Sequence, residues 1–313
     1  MARDYHKLNQ ILPSHRNTLY YIEYAAIHSF DDTLSFRVAS NGKSKEISIA
    51  HRNIAGLLMG PGTSITQKAA QKMREANICG MFVTGDGGNP VLWTAPDEYR
   101  PSHFCRSYLK IFYDENLRAA AAQAFMKARV TKILKDWPAL ISHKSGLVDE
   151  LKTVCNRFQS AAAQVSGQSL LLEEARFTKE LYRLAGKAFD VKWQGRVHKG
   201  SIDEANSLLN HGNYLAYGVA NIALYILGIP YSLSVIHGST RRGALVFDVA
   251  DLFKDSLILP LAFRAARDGK SDKAFRDEIL SEIDRQKLLA HLLDTLKEVS
   301  DIHGEVEADD LPF

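Results

Sequence analysis

Three stretches of this chain carry ionisable residues where the surrounding pattern calls for apolar ones. Between residues 168 and 188 the apolar positions Leu170, Leu171, Phe177, Leu181, Leu184 and Ala185 recur at helical spacing, and Glu174 falls in the middle of that stripe. Its neighbour Glu173 falls instead on the side of Arg176 and Glu180, which reads as a solvent face. A carboxylate on an apolar face needs a partner, which can be an arginine, a lysine or a metal ion. The second stretch is Val246-Phe247-Asp248-Val249-Ala250-Asp251-Leu252-Phe253-Lys254-Asp255. On a helix Asp248, Asp251 and Asp255 share one face, among Leu245, Phe247, Leu252, Phe253 and Leu257. Like charges there repel unless a cation sits among them, and Lys254 can supply part of it. The third is His237, at the end of the apolar run Tyr231–Ile236 and just before Gly238.

A histidine with two or three carboxylates is a hard, oxygen-rich donor set. It suits Mg²⁺ or Mn²⁺ better than zinc, and the imidazole tilts it towards Mn²⁺. Such a centre fits phosphodiester chemistry, in which a metal polarises the scissile phosphate and lowers the pKa of an attacking hydroxyl or water. Arg241 and Arg242, in the connector Ser239-Thr240-Arg241-Arg242-Gly243, can hold phosphate oxygens beside it. The basic, glycine-punctuated loop Lys192–Gly200, with Arg196, Lys199 and Trp193, can track a nucleic-acid backbone, or it can be a solvated loop.

These residues need elements to hold them. The chain has 313 residues, 46% hydrophobic and 24% charged, which suits about two folded domains and excludes disorder as the dominant state. Its net charge of +3 does not by itself imply nucleic acid. Apolar runs fall far below the roughly 18 residues of a membrane span. Met1–His6 lacks an apolar leader core, and Cys79, Cys105 and Cys155 are odd in number and widely spaced. A cytoplasmic protein without disulfides, secretory leader or membrane association is expected.

The first 95 residues read as a small β-rich domain, sandwich-like, with one helix. Strands are expected at 18–22, 34–38, 46–49, 81–83 and 91–93, with turns at Asp31-Asp32, Asn41-Gly42 and 85–90. A helix is expected over 65–77, capped by Thr63 or Ser64 after the turn Gly60-Pro61-Gly62. That turn could present backbone N–H groups to an anion, but without a Walker lysine it reads rather as a packing turn. Residues 96–101 read as a linker. From 102 to 300 the chain reads as a larger all-α domain carrying the metal site, with helices at 102–137 (stopped by Pro138), 147–165, 168–188, 202–227, 247–268 and 272–300. The acidic tail 301–313 lacks periodicity. The fold class is α+β with two domains.

Taken together, these residues resemble the CRISPR spacer-acquisition integrase family, the metal-dependent nuclease of the adaptation complex, over most of the chain. The resemblance is carried by Leu58–Thr66, by Glu174-Ala175-Arg176, by Asn206–Tyr214 (Asn-x-Leu-Leu with one extra residue before the tyrosine), by His237-Gly238 and by Phe247–Lys254. Thr240–Gly243 and His211–Gly218 look like its type I-F branch. The family usually places glycine after its helical glutamate. Here Ala175 stands there, and the apolar stripe independently favours Glu174 over Glu173.

The resemblance implies Glu174, His237 and Asp251 as metal ligands, Asp248 as a supporting acid and Lys254 as a neighbour of the site. It implies fragment insertion into a repeat array, in which a 3′-hydroxyl attacks a phosphodiester, and cleavage of branched DNA by the reverse reaction. The implied partners are double-stranded DNA, a second copy of the chain and a small ferredoxin-like protein, fused in the I-F branch to a helicase-nuclease. Dimerisation and partner contact are expected of the β-rich domain. Two other readings are a non-catalytic DNA-binding scaffold with its carboxylates tied up in ion pairs, and a stand-alone nuclease for branched DNA.

Overall fold

The structure is a computed structural model that describes residues 18–30, 33–40, 43–49, 54–83, 91–93, 100–197, 203–238 and 243–302. The strand-rich part holds β1 (Thr18–Ile22), β2 (Ala25–Phe30), β3 (Thr33–Ser40), β4 (Lys43–Ile49), β5 (Ile54–Met59), β6 (Ser64–Ile65), β7 (Cys79–Phe82) and β8 (Val91–Trp93), with α1 (Gln67–Glu75) between β6 and β7. They form two four-stranded sheets, ordered β1-β5-β7-β8 and β4-β3-β2-β6. The hairpin partners β2–β3 and β3–β4 are antiparallel, whereas β1, β5 and β7 run parallel. The turn residues expected at 31–32, 41–42 and 85–90 lie outside the described residues, as does most of the expected linker.

The apolar run Ile54–Met59 is a central strand buried along its whole length. Ile54, Leu57 and Met59 join the interior shared with α1 and the second sheet, while Ala55 and Leu58 join the interior of the helical part. The register against β1 slips by one residue at Ala55, since Thr18 pairs with Ile54 and Leu19 with Gly56. This bulge lets two successive residues, Ala55 and Gly56, face the helices. The helix after the Gly60-Pro61-Gly62 turn is capped by Thr66, whose Oγ1 accepts from the Ala69 N–H at 3.3 Å. Thr63 and Ser64 do not cap it, because Ser64 and Ile65 are drawn into β6 beside β2. The turn itself packs: Gly62 has φ +68°, and a Cβ there would meet Tyr24 at 2.6 Å.

The helical part comprises α2 (Ser102–Tyr113), α3 (Glu115–Ile141), α4 (Leu147–Ala162), α5 (Gly167–Phe189), α6 (Glu204–Leu227), α7 (Ala244–Phe253), a π-helical turn (Lys254–Ile258), α8 (Leu259–Arg267), α9 (Asp272–Arg285) and α10 (Leu288–Ser300). Three expected helices differ. The 102–137 stretch is two helices, broken where Asp114 turns extended and caps α3 by accepting from the Asn116 and Leu117 N–H groups at 2.8 and 3.0 Å. Pro138 does not stop α3. Trp137 and Ile141, both fully buried, hold the helix on the core across it, which outweighs one missing backbone hydrogen bond. The 247–268 stretch starts at Ala244 and is interrupted by the π-helical turn, and the 272–300 stretch breaks where Lys287 adopts φ +50°.

α6 is the axis of this part, buried almost throughout from Val219 to Leu227. Its glycines admit neighbours: Gly218 lies under Leu58 and Val83 of the strand-rich part, and Gly212 lies under Ile258 of the π-helical turn. A Cβ at Gly212 would stand 2.4 Å from Ile258 Cγ2 and 3.3 Å from Phe275 Cζ. Gly212→Ala gains helix propensity of about 1 kcal/mol, but overpacking against a fully buried β-branched side chain exceeds that gain. The expected net loss is about 1–2 kcal/mol in urea unfolding. An unchanged midpoint would refute the close packing of α6 on the turn.

Candidate active site

The stripe on α5 folds as its spacing demands. Leu170, Phe177, Leu181 and Leu184 are buried, and Glu173 pairs outward with Arg176. Glu174 turns inward and its side chain is 14% exposed. Its Oε1 accepts from Arg129 Nη1 at 2.8 Å.

His237 sits on the irregular segment between α6 and α7, and Asp248 of α7 holds that segment in place. The fully buried Asp248 carboxylate accepts from the backbone N–H groups of Val235, Ile236 and His237 at 2.8, 3.1 and 3.2 Å. It also faces His237 Nδ1 at 2.5 Å. A carboxylate only accepts, so Nδ1 carries the proton, and in the neutral ring Nε2 keeps its lone pair. This is the arrangement of a ligating imidazole oriented by an acid behind it.

Asp251, one turn after Asp248, is ion-paired with Lys254. Burial opposes ionisation of both. Lys254, Arg129 and His237 nevertheless hold Asp251 below the usual carboxylate range, and Asp251 holds Lys254 firmly protonated. Burial likewise lowers the His237 pKa, but the hydrogen bond to Asp248 and the charges of Asp248, Asp251 and Glu174 outweigh it and raise the pKa.

Asp255 is the third acid of that run. It lies in the π-helical turn, fully buried, and receives Nε and Nη2 of Arg129. The three aspartates therefore have three partners: His237 and backbone for Asp248, Lys254 for Asp251, Arg129 for Asp255. Among the described residues, no three His, Cys, Asp or Glu side chains stand as a ready ligand set. The reason is visible: Glu174 is turned to Arg129 and Asp251 to Lys254.

The donor chemistry still fits a divalent ion. Glu174 and Asp251 each keep one carboxylate oxygen without a hydrogen-bond partner among the described residues. Four carboxylates (Glu174, Asp248, Asp251 and Asp255) stand against two fixed cations, Arg129 and Lys254. A divalent ion would close that deficit. A cavity of about 500 Å³ opens against His237 and Gly238, with Glu115, Arg118 and Gln168 in its lining.

The family described as CRISPR associated protein Cas1 matches residues 19–293. This chain belongs to the Cas1 family. It is 37% identical over 311 residues to the CRISPR-associated endonuclease Cas1 of Pseudomonas aeruginosa strain UCBPP-PA14, covering 94% of this chain and 96% of that one. It is 35% identical over 310 residues to the protein of the same name from Pectobacterium atrosepticum, covering 94% and 95%. Among solved structures, a Cas1 protein from Thermotoga maritima superposes with a TM-score of 0.73 at 14% identity, over 92% of this chain and 97% of that one. A casposase bound to integration product gives 0.68 at 14% identity, over 91% and 90%. At that identity the two structures show a shared fold: a strand-rich N-terminal part and a larger helical C-terminal part.

The basic residues fare differently from the acids. Arg241, Arg242 and Lys199 lie outside the described residues. Arg196 is engaged within the protein: Nη1 donates to Asn206 Oδ1 at 2.9 Å and Nη2 to Asn210 Oδ1 at 2.6 Å, pinning the 192–197 loop to α6. Trp193 is stacked on Tyr182 at 4.9 Å and packs against Phe263 at 5.0 Å, so its ring lies partly buried against the core. The residue that sequence reasoning missed is Arg129. Its signal was present on α3, where it follows Ala122, Phe125 and Met126 and precedes Val130 and Ile133 on the buried face. No helix among the described residues is long and apolar enough to cross a membrane.

Proposed function

We propose that this Cas1-family chain is a divalent-metal-dependent DNA endonuclease and integrase of CRISPR adaptation, of the type I-F branch, with Glu174, His237 and Asp251 as the ligands of Mg²⁺ or Mn²⁺. One observation carries the reading. Asp248 accepts the Nδ1 proton of His237 in a hydrogen bond, so that Nε2 keeps its lone pair with no hydrogen-bond partner among the described residues, and Glu174 and Asp251 are both turned inward beside cations. The endonuclease name of the relatives from Pseudomonas and Pectobacterium and the fold shared with an integration-product-bound casposase support the chemistry.

A bound divalent ion would supply polarisation of the scissile phosphate. The chain's own residues do the rest. Asp248 holds the imidazole tautomer and aim, and Lys254 and Arg129 offset part of the carboxylate charge. In the joining reaction the 3′-oxygen of a DNA fragment forms a new bond to phosphorus and the bond to the former 3′-oxygen breaks. The attacking hydroxyl gives up one proton as its bond forms and the departing oxygen takes one up to leave as a hydroxyl, so the exchange consumes no net proton. Water in place of the attacking hydroxyl gives cleavage. Arg241 and Arg242 are proposed beside the phosphate, and Arg196 and Lys199 near the DNA backbone. Double-stranded DNA, a second copy of the chain and a ferredoxin-like adaptation protein fused to a helicase-nuclease are the proposed partners.

Metal titration separates this reading from a non-catalytic scaffold. With Mn²⁺ at 100 times its dissociation constant, the wild-type chain should gain about 2.7 kcal/mol by mass action. A thermal unfolding curve that does not move with Mn²⁺ would overturn the site. A fragment-integration assay with the partner present then separates an integrase from a stand-alone branched-DNA nuclease. Recognition through backbone charge should also weaken DNA binding steeply between 50 and 200 mM salt, by about 10³-fold if some six phosphates are contacted. A flat response would count against it.

A further inference from the structure

The Arg129 side chain is 3% exposed and is the cation shared by two acids from different elements. Asp255 takes Nε at 2.8 Å and also Nη2, so the guanidinium plane is set from the side of the π-helical turn. That turn is itself held by α3: Trp137, two turns beyond Arg129 on the same helix, donates Nε1 to the Asp255 carbonyl at 2.9 Å. On the other side the guanidinium meets α5 twice, at Glu174 Oε1 (2.8 Å) and, one turn later, at Thr178 Oγ1 (3.1 Å).

Asp255 alone would neutralise the charge of Arg129, and the remaining guanidinium N–H donors could be met by neutral acceptors of the kind Thr178 Oγ1 provides. Glu174 meets the same cation instead, so a second carboxylate is held at a fixed place among the acids by a buried guanidinium. Holding Oε1 leaves Oε2 as the oxygen able to ligate, and a ligating carboxylate is commonly fixed by such a hydrogen bond from behind.

We propose that Arg129 is the positioning residue of the site, anchored by Asp255 and acting through Glu174, whose Oε1 it holds so that Oε2 is presented as a metal-ligand oxygen. This rests on reading Glu174, His237 and Asp251 as the metal site.

The test uses the full chain and Mn²⁺ alone, with free Mn²⁺ read from its aqueous paramagnetic resonance signal and folding followed by circular dichroism. Arg129→Lys keeps the charge but not the fork, and should weaken Mn²⁺ binding about 10- to 100-fold. In a Glu174→Gln background the same substitution should add almost nothing, because the residue acts through that carboxylate. A purely structural arginine would instead give losses that multiply. Should Arg129→Lys fail to fold, the double variant Arg129→Gln with Asp255→Asn removes both buried charges together and decides the matter by the same 10- to 100-fold loss. Wild-type affinity in that variant or in folded Arg129→Lys, or multiplying losses in the Glu174→Gln background, would overturn the inference and leave the site reading standing. Absence of Mn²⁺ binding by the wild-type chain would overturn both.

Discussion

Asp251→Ala should abolish strand cleavage and strand joining, with a loss on the order of 10³-fold or more, while DNA affinity stays within about threefold of wild type. The argument is one of position. Asp251 is buried on α7, one turn from the acid that orients His237, and is held ionised by Lys254 and Arg129 against the cost of burial. Nothing in that placement lets it meet the bulk of a duplex, so binding through backbone charge should survive its removal. The substitution also leaves Lys254 without its counter-ion, at a cost of about 3 kcal/mol. Asp251→Asn, which keeps an acceptor for Lys254, is the companion that separates lost chemistry from lost stability. Fragment integration and branched-DNA cleavage, measured beside a binding isotherm, check the outcome. Normal integration by folded Asp251→Ala protein in the presence of divalent metal would remove this residue from the site.

The second large effect belongs to Asp248, and it falls on stability and activity together. Its carboxylate satisfies three successive backbone N–H groups and the imidazole of His237. Alanine leaves those donors without an acceptor in a largely buried place, at about 1–3 kcal/mol for each, and the losses are not independent. A total near 3–5 kcal/mol is expected in urea unfolding. His237 loses its orientation in the same step, so residual cleavage by the folded fraction should fall at least 10- to 100-fold. Asp248→Asn is intermediate. Its amide offers one acceptor oxygen to the backbone but sets an N–H against another donor. A midpoint shift under about 1 kcal/mol with full activity in the alanine variant would show that Asp248 neither anchors the segment nor aims the ring.

The acids were legible in the sequence because burial of a carboxylate is anomalous wherever it occurs. Glu174 and Asp251 stand out against a 3.6-residue apolar pattern, and the structure finds both turned inward with cations beside them. Arg129 was less legible for a physical reason. An arginine stem covers apolar surface well, so an arginine on a buried face is a weaker signal than a glutamate. The spacing of Asp255 from Asp251 calls for a cation near both without saying which one. The π-helical turn, which places it with Arg129, leaves no mark in composition. The breaks between helices behave alike. Lys287 adopts a left-handed conformation without glycine or proline to announce it, and Pro138 announces a stop that packing overrides. The six apolar residues of β5 fit a buried strand or a buried helix equally well until their partners are known.

The strand-rich part and α6 meet without a cushion of long side chains. Leu58 and Val83 lie on Gly218, and Ile222 lies on Gly56. Packed this closely on the sheet, α6 runs from it like a beam. The far end of that beam bears on Ile258 at Gly212, in the same π-helical turn that holds Asp255 against Arg129. One helix, closely packed at both of these contacts, thus spans the distance from the sheet to the turn that carries Asp255.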